Sequence, residues 1–395
     1  MDLSFSAEQE SFRQEVRSWL RNNLPASWGA DGFIQFDSLE EEVRFLIDWQ
    51  RQLNGGGWVG VHWPRHHGGR GVGIVENFLL QEEMGRAKAP ELIGRIGVNL
   101  VGPTLIAHGT EEQQRHLPRI LAADEIWCQL FSEPNAGSDL TSLRCRAEAD
   151  GDFFVVNGQK TWTSYAQFAR WGILLARTDS TAAKAKGISF FILDMQSSGL
   201  TVRPLKQMTG DEEFNEVFLD NVRIPRSHLV GEINHGWEIA QTTLGHERGT
   251  NPRQMVIHRI LVDELLRLAR ARERDGSAAS ADPVLRQRLS QAWIEVELVK
   301  LQNWRILTQV LRRGKPGPES SISKLLWSEM SQRLHDTAMD TLGAHAPLVR
   351  GDSRAAAQGR WARSYLYYRA GTIFAGTSEI QRNIIAERVL GLPRK

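Results

Sequence analysis

The chain has 395 residues, 41% of them hydrophobic and 24% charged, and its 48 basic and 47 acidic residues leave a formal net charge of +1. That length buries a large core and allows two or three folding units. So even a balance speaks against a nucleic-acid footprint or a polybasic membrane anchor. Cys128 and Cys145 form neither a CxxC pair nor a metal-ligand spacing, so a reducing compartment is the expectation.

The first residues, "MDLSFSAEQE", lack the apolar run of a signal peptide and are too acidic for a transit peptide. No apolar stretch reaches the length of about 18 residues that spans a bilayer. The expectation is a soluble cytoplasmic protein with no membrane span. Residues 1–122 read as helical. Ser6 to Gln9 forms a capping box, in which hydroxyl and amide satisfy orphan backbone N–H groups reciprocally. Phe12, Val16, Trp19 and Leu20 follow on one helical stripe. Thr110 to Gln113 repeats the capping signature, and between the two lies "GGGWVGVHWPRHHGGRGVG", too irregular for either period.

The pattern changes near Glu125. "DGDFFVVNGQKTWTS" mixes short β-branched and aromatic runs with Asp-Gly and Asn-Gly, which are hairpin signals. "GISFFILDM", "LTVRPL" and "NEVFLDNVRIP" continue the style, so residues 123–230 are expected to form a β-domain or barrel. Helical spacing returns over 231–395, as in Leu261-Leu265-Leu268 and Trp293-Val296-Leu298, with "RRGKPGPESS" separating two long helices. The fold class expected is α+β and multidomain, in the order α, β, α.

Gly68 to Gly73 lacks the G-x-G-x-x-G register and follows no apolar strand, and "GKPGPESS" lacks P-loop spacing; both read as structural loops. His62, His66 and His67 have no carboxylate or cysteine partner at ligand spacing, so no metal is expected. "WCQLFSEPNAGSDL" is richer: serine hydroxyls and exposed turn N–H groups suit the acceptor atoms of a ring system or a phosphate, whereas the plain alternative is an Asx-turn. "NGQKTWTS" adds an indole able to cover a flat aromatic face.

Together these stretches, with "LDNVRIP", "EEMGRA" and "FAGTSEIQRNIIAERVLGLPR", resemble the acyl-CoA dehydrogenase family over essentially the whole chain. Phe131 to Asp139 fits its [ST]-E-P-x-A-G-S-D pattern, and Asn157 to Ser164 fits N-G-x-K-x-[WY]-[IT]-[ST]. The fold implied is a helical N-terminal domain (1–122), a β-barrel-like middle domain (123–230) and a C-terminal four-helix bundle (231–395). The cofactor implied is FAD. By position, Phe131 and Ser132 meet the pyrimidine edge of the flavin, Ser138 lies near the pyrophosphate and acyl-CoA, Trp162 covers a ring face, and Ser164 sits close to N5. Thr377 and Glu379 match positions at the adenosine and pyrophosphate end.

The reaction implied removes a proton from Cα of an acyl-CoA thioester and a hydride from Cβ, giving the trans-2-enoyl-CoA, and it needs a carboxylate at Cα. Many relatives carry that carboxylate where this chain has Ala375. Others carry it on a C-terminal-domain helix just before an Arg, and "TLGHERG" supplies Glu247 followed by Arg248 there. Glu247 is therefore the expected base, with Arg248 at the substrate. The plain alternative is a Glu paired on a solvated helix face.

The partners implied are an acyl-CoA, an electron-transferring flavoprotein and further copies of the chain in a homodimer or homotetramer. The segment that completes a neighbour's FAD site in the family reads here "RERDGSAASADPVLRQRL", without the usual Phe-Gly-Lys and Gln. A partner-dependent or non-catalytic subunit of a hetero-oligomer is thus one rival reading. A flavin oxidase or monooxygenase on the same fold is another.

Overall fold

The computed structural model describes residues 4–28, 36–246, 250–274 and 276–393. Helices α1 (Ala7–Asn23), α2 (Leu39–Gly55), α3 (Ile74–Arg86), α4 (Gly102–His108), α5 (Glu111–Gln114) and α6 (Leu117–Leu121) come first. Strands β1 (Trp127–Leu130), β2 (Arg146–Asp150), β3 (Phe153–Ser164), β4 (Trp171–Arg177), β5 (Ile188–Asp194), β6 (Leu200–Leu205), β7 (Phe214–Pro225) and β8 (Leu229–Val230) occupy the middle. Then follow α7 (Gly236–His246), α8 (Pro252–Ala271), α9 (Pro283–Arg313), α10 (Ser320–Leu342), α11 (Arg360–Tyr368) and α12 (Ser378–Ile384). The α, β, α order is as expected.

By packing, the chain divides into two compact units. One comprises Met1–Asn22, Ile74–Ala89 and Arg248–Lys395, the other Asn23–Gly73 and Pro90–Glu247.

In the first, helical unit the sequence signals become caps. The Ser6 amide donates to Gln9 Oε1 over 3.0 Å, and the Gln9 amide to Ser6 Oγ over 3.3 Å. Phe12 of α1 packs against a core that includes Phe78 of α3, Leu261 and Leu265 of α8, Val296 and Val299 of α9, and Leu334 of α10. Burying each such side chain stabilises by roughly 1.5–3 kcal/mol. α1 is also tied to α3 by charge: Arg17 forks onto the buried Glu83 through two bonds of 2.9 Å.

Helix α9 is capped by Asp282 ahead of Pro283 and closed by Gly314, whose φ of +75° is costly for any residue with a Cβ. Its buried face follows Ala292, Val296, Val299 and Asn303. Trp293 (38% exposed) and Leu298 (46%) fall outside that face. The helical spacing read from Trp293, Val296 and Leu298 is that of α9, in which Val296 alone of the three faces the core. The Arg259 guanidinium lies 3.5 Å from the Trp293 ring centroid.

In the second unit, an eight-stranded sheet runs in the order β6-β7-β3-β2-β4-β5-β8, and β1 pairs with β4 beside that path. Asp150-Gly151 makes the β2–β3 hairpin as its composition predicts, Asp150 pairing with Phe153. Asn157-Gly158 does not turn the chain; it sits inside β3 at a register irregularity. Glycine is required there by contact, since a Cβ would lie 2.7 Å from Cys145 Cβ.

One topological feature positions the site. Both β1 and β2 pair with β4: β1 runs parallel along Trp171 to Leu174, and β2 touches β4 only at Arg177. The chain must therefore leave the sheet after Leu130 and rejoin it at Arg146. The segment 131–145 is the excursion this fork forces.

Candidate active site

The excursion begins with a short segment whose backbone is tied down at several polar atoms. The Phe131 carbonyl accepts from Lys160 Nζ (3.1 Å), and the Ser132 carbonyl accepts from the Thr161 amide (2.9 Å). Glu133 and Ala136 exchange two backbone bonds of 3.0 Å, which closes a tight turn over Pro134 and Asn135. The buried Glu133 carboxylate accepts from Lys160 Nζ (2.8 Å), the Arg144 amide (2.7 Å) and the Cys145 amide (2.9 Å). Lys160 is itself fully buried. The start and end of the excursion are thus pinned by one ion pair.

Ser132 keeps its donors free. Among the described residues, neither its amide N–H nor its hydroxyl has a partner, although its carbonyl is held. The segment presents two donors beside Thr161 on β3. Ser138, farther along the excursion, is exposed, and its neighbour Asp139 is engaged by Lys184 over 2.8 Å.

The next residue on β3 is Trp162. The pairing of β3 with β7 loses register between Lys160 and Thr163, and in this bulge Trp162 takes φ +58°. A left-handed conformation is uncommon for a bulky side chain and costs roughly 1–2 kcal/mol. A bulge of this kind re-aims a side chain. Its result here is an indole left 60% exposed and edge-on to Phe214 at 6.0 Å, while Thr161 and Thr163 on either side stay buried. Ser164 ends the strand opposite Phe214. Exposed aromatic face, unpaired donors and a neutral hydroxyl together suit a flat heteroaromatic ring with carbonyl acceptors at its edge.

In the helical unit the stretch around Ala375 forms a second feature. Ala375 (φ +52°) and Gly376 (φ +87°) are consecutive left-handed residues, ahead of Thr377, whose hydroxyl caps α12 by accepting from the Ile380 amide over 3.2 Å. Beneath the turn lies the buried Gln381. Its side-chain amide donates to the Ala375 carbonyl over 2.9 Å and to the Gly376 carbonyl over 3.4 Å. The Ala375 and Gly376 amides have no acceptor among the described residues. This turn offers N–H groups, not a carboxylate.

Beside it is a cavity of about 460 Å³ lined by Thr377, Ser378 and Glu379 together with Glu329, Asp336, Arg333 and Arg382, among others. Its own backbone N–H and the Thr377 hydroxyl hold the Glu379 carboxyl below the usual carboxylate range. Ser378 Oγ and Lys324 Nζ are buried atoms without a hydrogen-bond partner among the described residues, and burial pulls the Lys324 ammonium down to about 8. Three carboxylates against two guanidiniums on that lining favour a polar, uncharged guest group such as a nucleoside over a bare anion.

Helix α7 is anchored by Thr243 to Thr104 of α4 (2.9 Å) and by Thr242 to His108 Nε2 (3.0 Å). It runs to His246, directly before Glu247 in sequence. Glu247 and Arg248 lie outside the described residues.

Other titratable groups fit no site. Cys128 and Cys145 are buried free thiols; burial pushes Cys145 up to about 11 and Cys128 higher still. Among the described residues no three His, Cys, Asp or Glu side chains cluster as metal ligands. Sequence reasoning missed Lys160, Glu133 and Gln381. All three stand inside the quoted motifs, but no local signal marks them as buried.

The family description "Acyl-CoA dehydrogenase, N-terminal domain" matches residues 6–124, the middle domain 128–222 and the C-terminal domain 234–390. The Mycobacterium tuberculosis protein named acyl-CoA dehydrogenase IpdE1 is 40% identical over 389 residues, covering 98% of each chain. Among solved structures, the ChsE4-ChsE5 complex from Mycobacterium tuberculosis aligns over 100% of both chains with a TM-score of 0.85 and 31% identity. The structure titled "Tcur3481-Tcur3483 steroid ACAD" does so with 0.84 and 30%.

Proposed function

This chain belongs to the acyl-CoA dehydrogenase family, a family of FAD-dependent flavoprotein oxidoreductases, and from that premise we propose that it oxidises an acyl-CoA at Cα and Cβ to the trans-2-enoyl-CoA, with Glu247 as the base. The observation that carries the reading is the donor pair of Ser132 held against β3 beside the exposed Trp162. Those residues fit FAD: Ser132 answers the acceptors of the pyrimidine edge, and Trp162 covers one face of the ring. When bound, FAD supplies the acceptor for the hydride leaving Cβ.

The chain's own residues do the rest. Glu247 takes the proton from Cα, and Arg248 helps seat the substrate. The unpaired backbone N–H groups at Ala375 and Gly376 hold the thioester oxygen, where negative charge gathers as the proton leaves. Ser138 serves the phosphate-bearing end of the ligands, and Ser164 lies near the reacting edge. Thr377 and Glu379 serve the adenosine end, which the polar cavity beside α12 suits. An electron-transferring flavoprotein collects the electrons.

The acyl group we assign is bulky and ring-bearing, of steroid type. In support, Ala375 leaves no side chain beyond Cβ where many relatives carry a carboxylate, and one close structural relative is titled a steroid enzyme. Anaerobic mixing with straight, branched and steroid-side-chain acyl-CoA thioesters tests this. Bleaching of the flavin band by the steroid thioester is expected. Bleaching by straight chains alone contradicts the substrate, and none by any thioester contradicts the activity. Rapid peroxide formation in air would indicate an oxidase.

A second reading is that the chain works only beside a partner of the same family. Its segment 272–289 departs from the family's cross-subunit pattern, and both structural relatives above are titled as pairs. Purification of the chain alone tests this, a colourless monomer favouring the paired form.

A further inference from the structure

Lys160 is the only lysine fully buried among the described residues, and the dehydrogenation itself makes no use of it. A buried ion pair is a poor source of stability. Desolvation of both charges offsets most of their attraction, and two apolar side chains of similar volume often serve a fold equally well. What a Lys–Glu pair provides and an apolar pair does not is direction. Lys160 Nζ holds the Phe131 carbonyl (3.1 Å) and Glu133 (2.8 Å), and Glu133 holds the amides of Arg144 (2.7 Å) and Cys145 (2.9 Å). With the Ser132 carbonyl taken by Thr161 (2.9 Å), the peptide units around Ser132 are fixed before any ligand arrives.

We propose that Lys160, acting through Phe131 and Glu133, is a positioning residue that sets the direction of the Ser132 donors and thereby the affinity and reduction potential of the flavin. The proposal rests on the reading of Ser132 at the flavin's pyrimidine edge. A donor aligned with that edge favours the reduced ring, which carries more negative charge there, over the oxidised one. Loosening the clamp therefore lowers the potential and weakens the hold on FAD.

The test uses the full-length holoprotein in three variants: Lys160→Met, the double variant Glu133→Met/Lys160→Met, and Ser132→Ala. Thermal midpoint, FAD dissociation constant and flavin midpoint potential are measured for each. Lys160→Met leaves a buried carboxylate uncompensated and is expected to lose thermal stability. The double variant removes both charges and is expected to regain part of that stability, the backbone groups of Phe131, Arg144 and Cys145 staying unpaired, while still binding FAD at least tenfold more weakly. Its hold on reduced relative to oxidised flavin should also fall about tenfold, equal to a potential about 30 mV lower for a two-electron couple. Should the single variant not fold, the double variant decides.

Wild-type potential and affinity in the double variant would overturn the proposal. If Ser132→Ala shifts the potential while the double variant does not, the clamp fails but the reading of Ser132 stands. If neither shifts it, both fail.

Discussion

Gln381 and Ala375 are joined by a bond of 2.9 Å from a buried side-chain amide to the carbonyl of a left-handed residue, and Gly376, also left-handed, stands between them. A Cβ on Gly376 would lie 2.7 Å from Gln381 Nε2. Gly376→Ala therefore meets both a conformational cost of about 1–2 kcal/mol and a displaced amide. Gln381→Leu gives up hydrogen bonds to carbonyls on an exposed turn, worth about 1 kcal/mol. Chemical denaturation should rank Gly376→Ala as the more destabilising of the two.

Under the proposed mechanism, replacing Glu247 by Gln keeps its size and removes the proton acceptor. Turnover should fall roughly 10²- to 10⁴-fold while the protein stays yellow and still binds substrate. Stopped-flow reduction of the flavin measures it, and unchanged turnover would remove Glu247 from the mechanism.

Trp162 is 60% exposed and strained, so Trp162→Ala should leave stability within about 0.5 kcal/mol of the parent. If the indole covers the flavin, FAD affinity should drop by about 1 kcal/mol, the worth of an aromatic contact. A scan of thermal midpoint against FAD titration separates the two effects.

Two histidines in the helical unit predict a pH dependence. His258 is fully buried between the Gln254 carbonyl (2.8 Å) and Ser331 Oγ, and His335 is stacked on Tyr368 with Nε2 unpartnered. Burial lowers both from 6.5 to about 4. The folded chain thus refuses protons that the unfolded chain takes up below pH 6.5. Stability is intact above that value and declines as pH falls towards 4, by up to about 1.4 kcal/mol per pH unit for each group. Thermal melts between pH 7 and 4.5 should show the decline, and His258→Gln should reduce it by about half.

Much of this architecture was legible in the chain itself. The capping boxes at Ser6 and Thr110 and the Asp150-Gly151 hairpin depend on neighbours three or four residues away, and all form as read. One expectation went astray: Asn157-Gly158 satisfies a turn's chemistry, yet its glycine answers to Cys145 on another segment. The Lys160–Glu133 clamp was hidden likewise, since nothing local distinguishes a lysine bound for the interior from one in water.

The helical unit is assembled from three stretches of chain that are far apart in sequence, Met1–Asn22, Ile74–Ala89 and Arg248–Lys395. Phe12 and Phe78 leave the ribosome long before α8, α9 and α10 exist to cover them. During synthesis the β-rich unit can close early, while α1 and α3 must wait with their greasy sides uncovered. A nonsense mutation between the sheet and α8 would strand them that way for good, making the truncated product a ready client for chaperones and proteases.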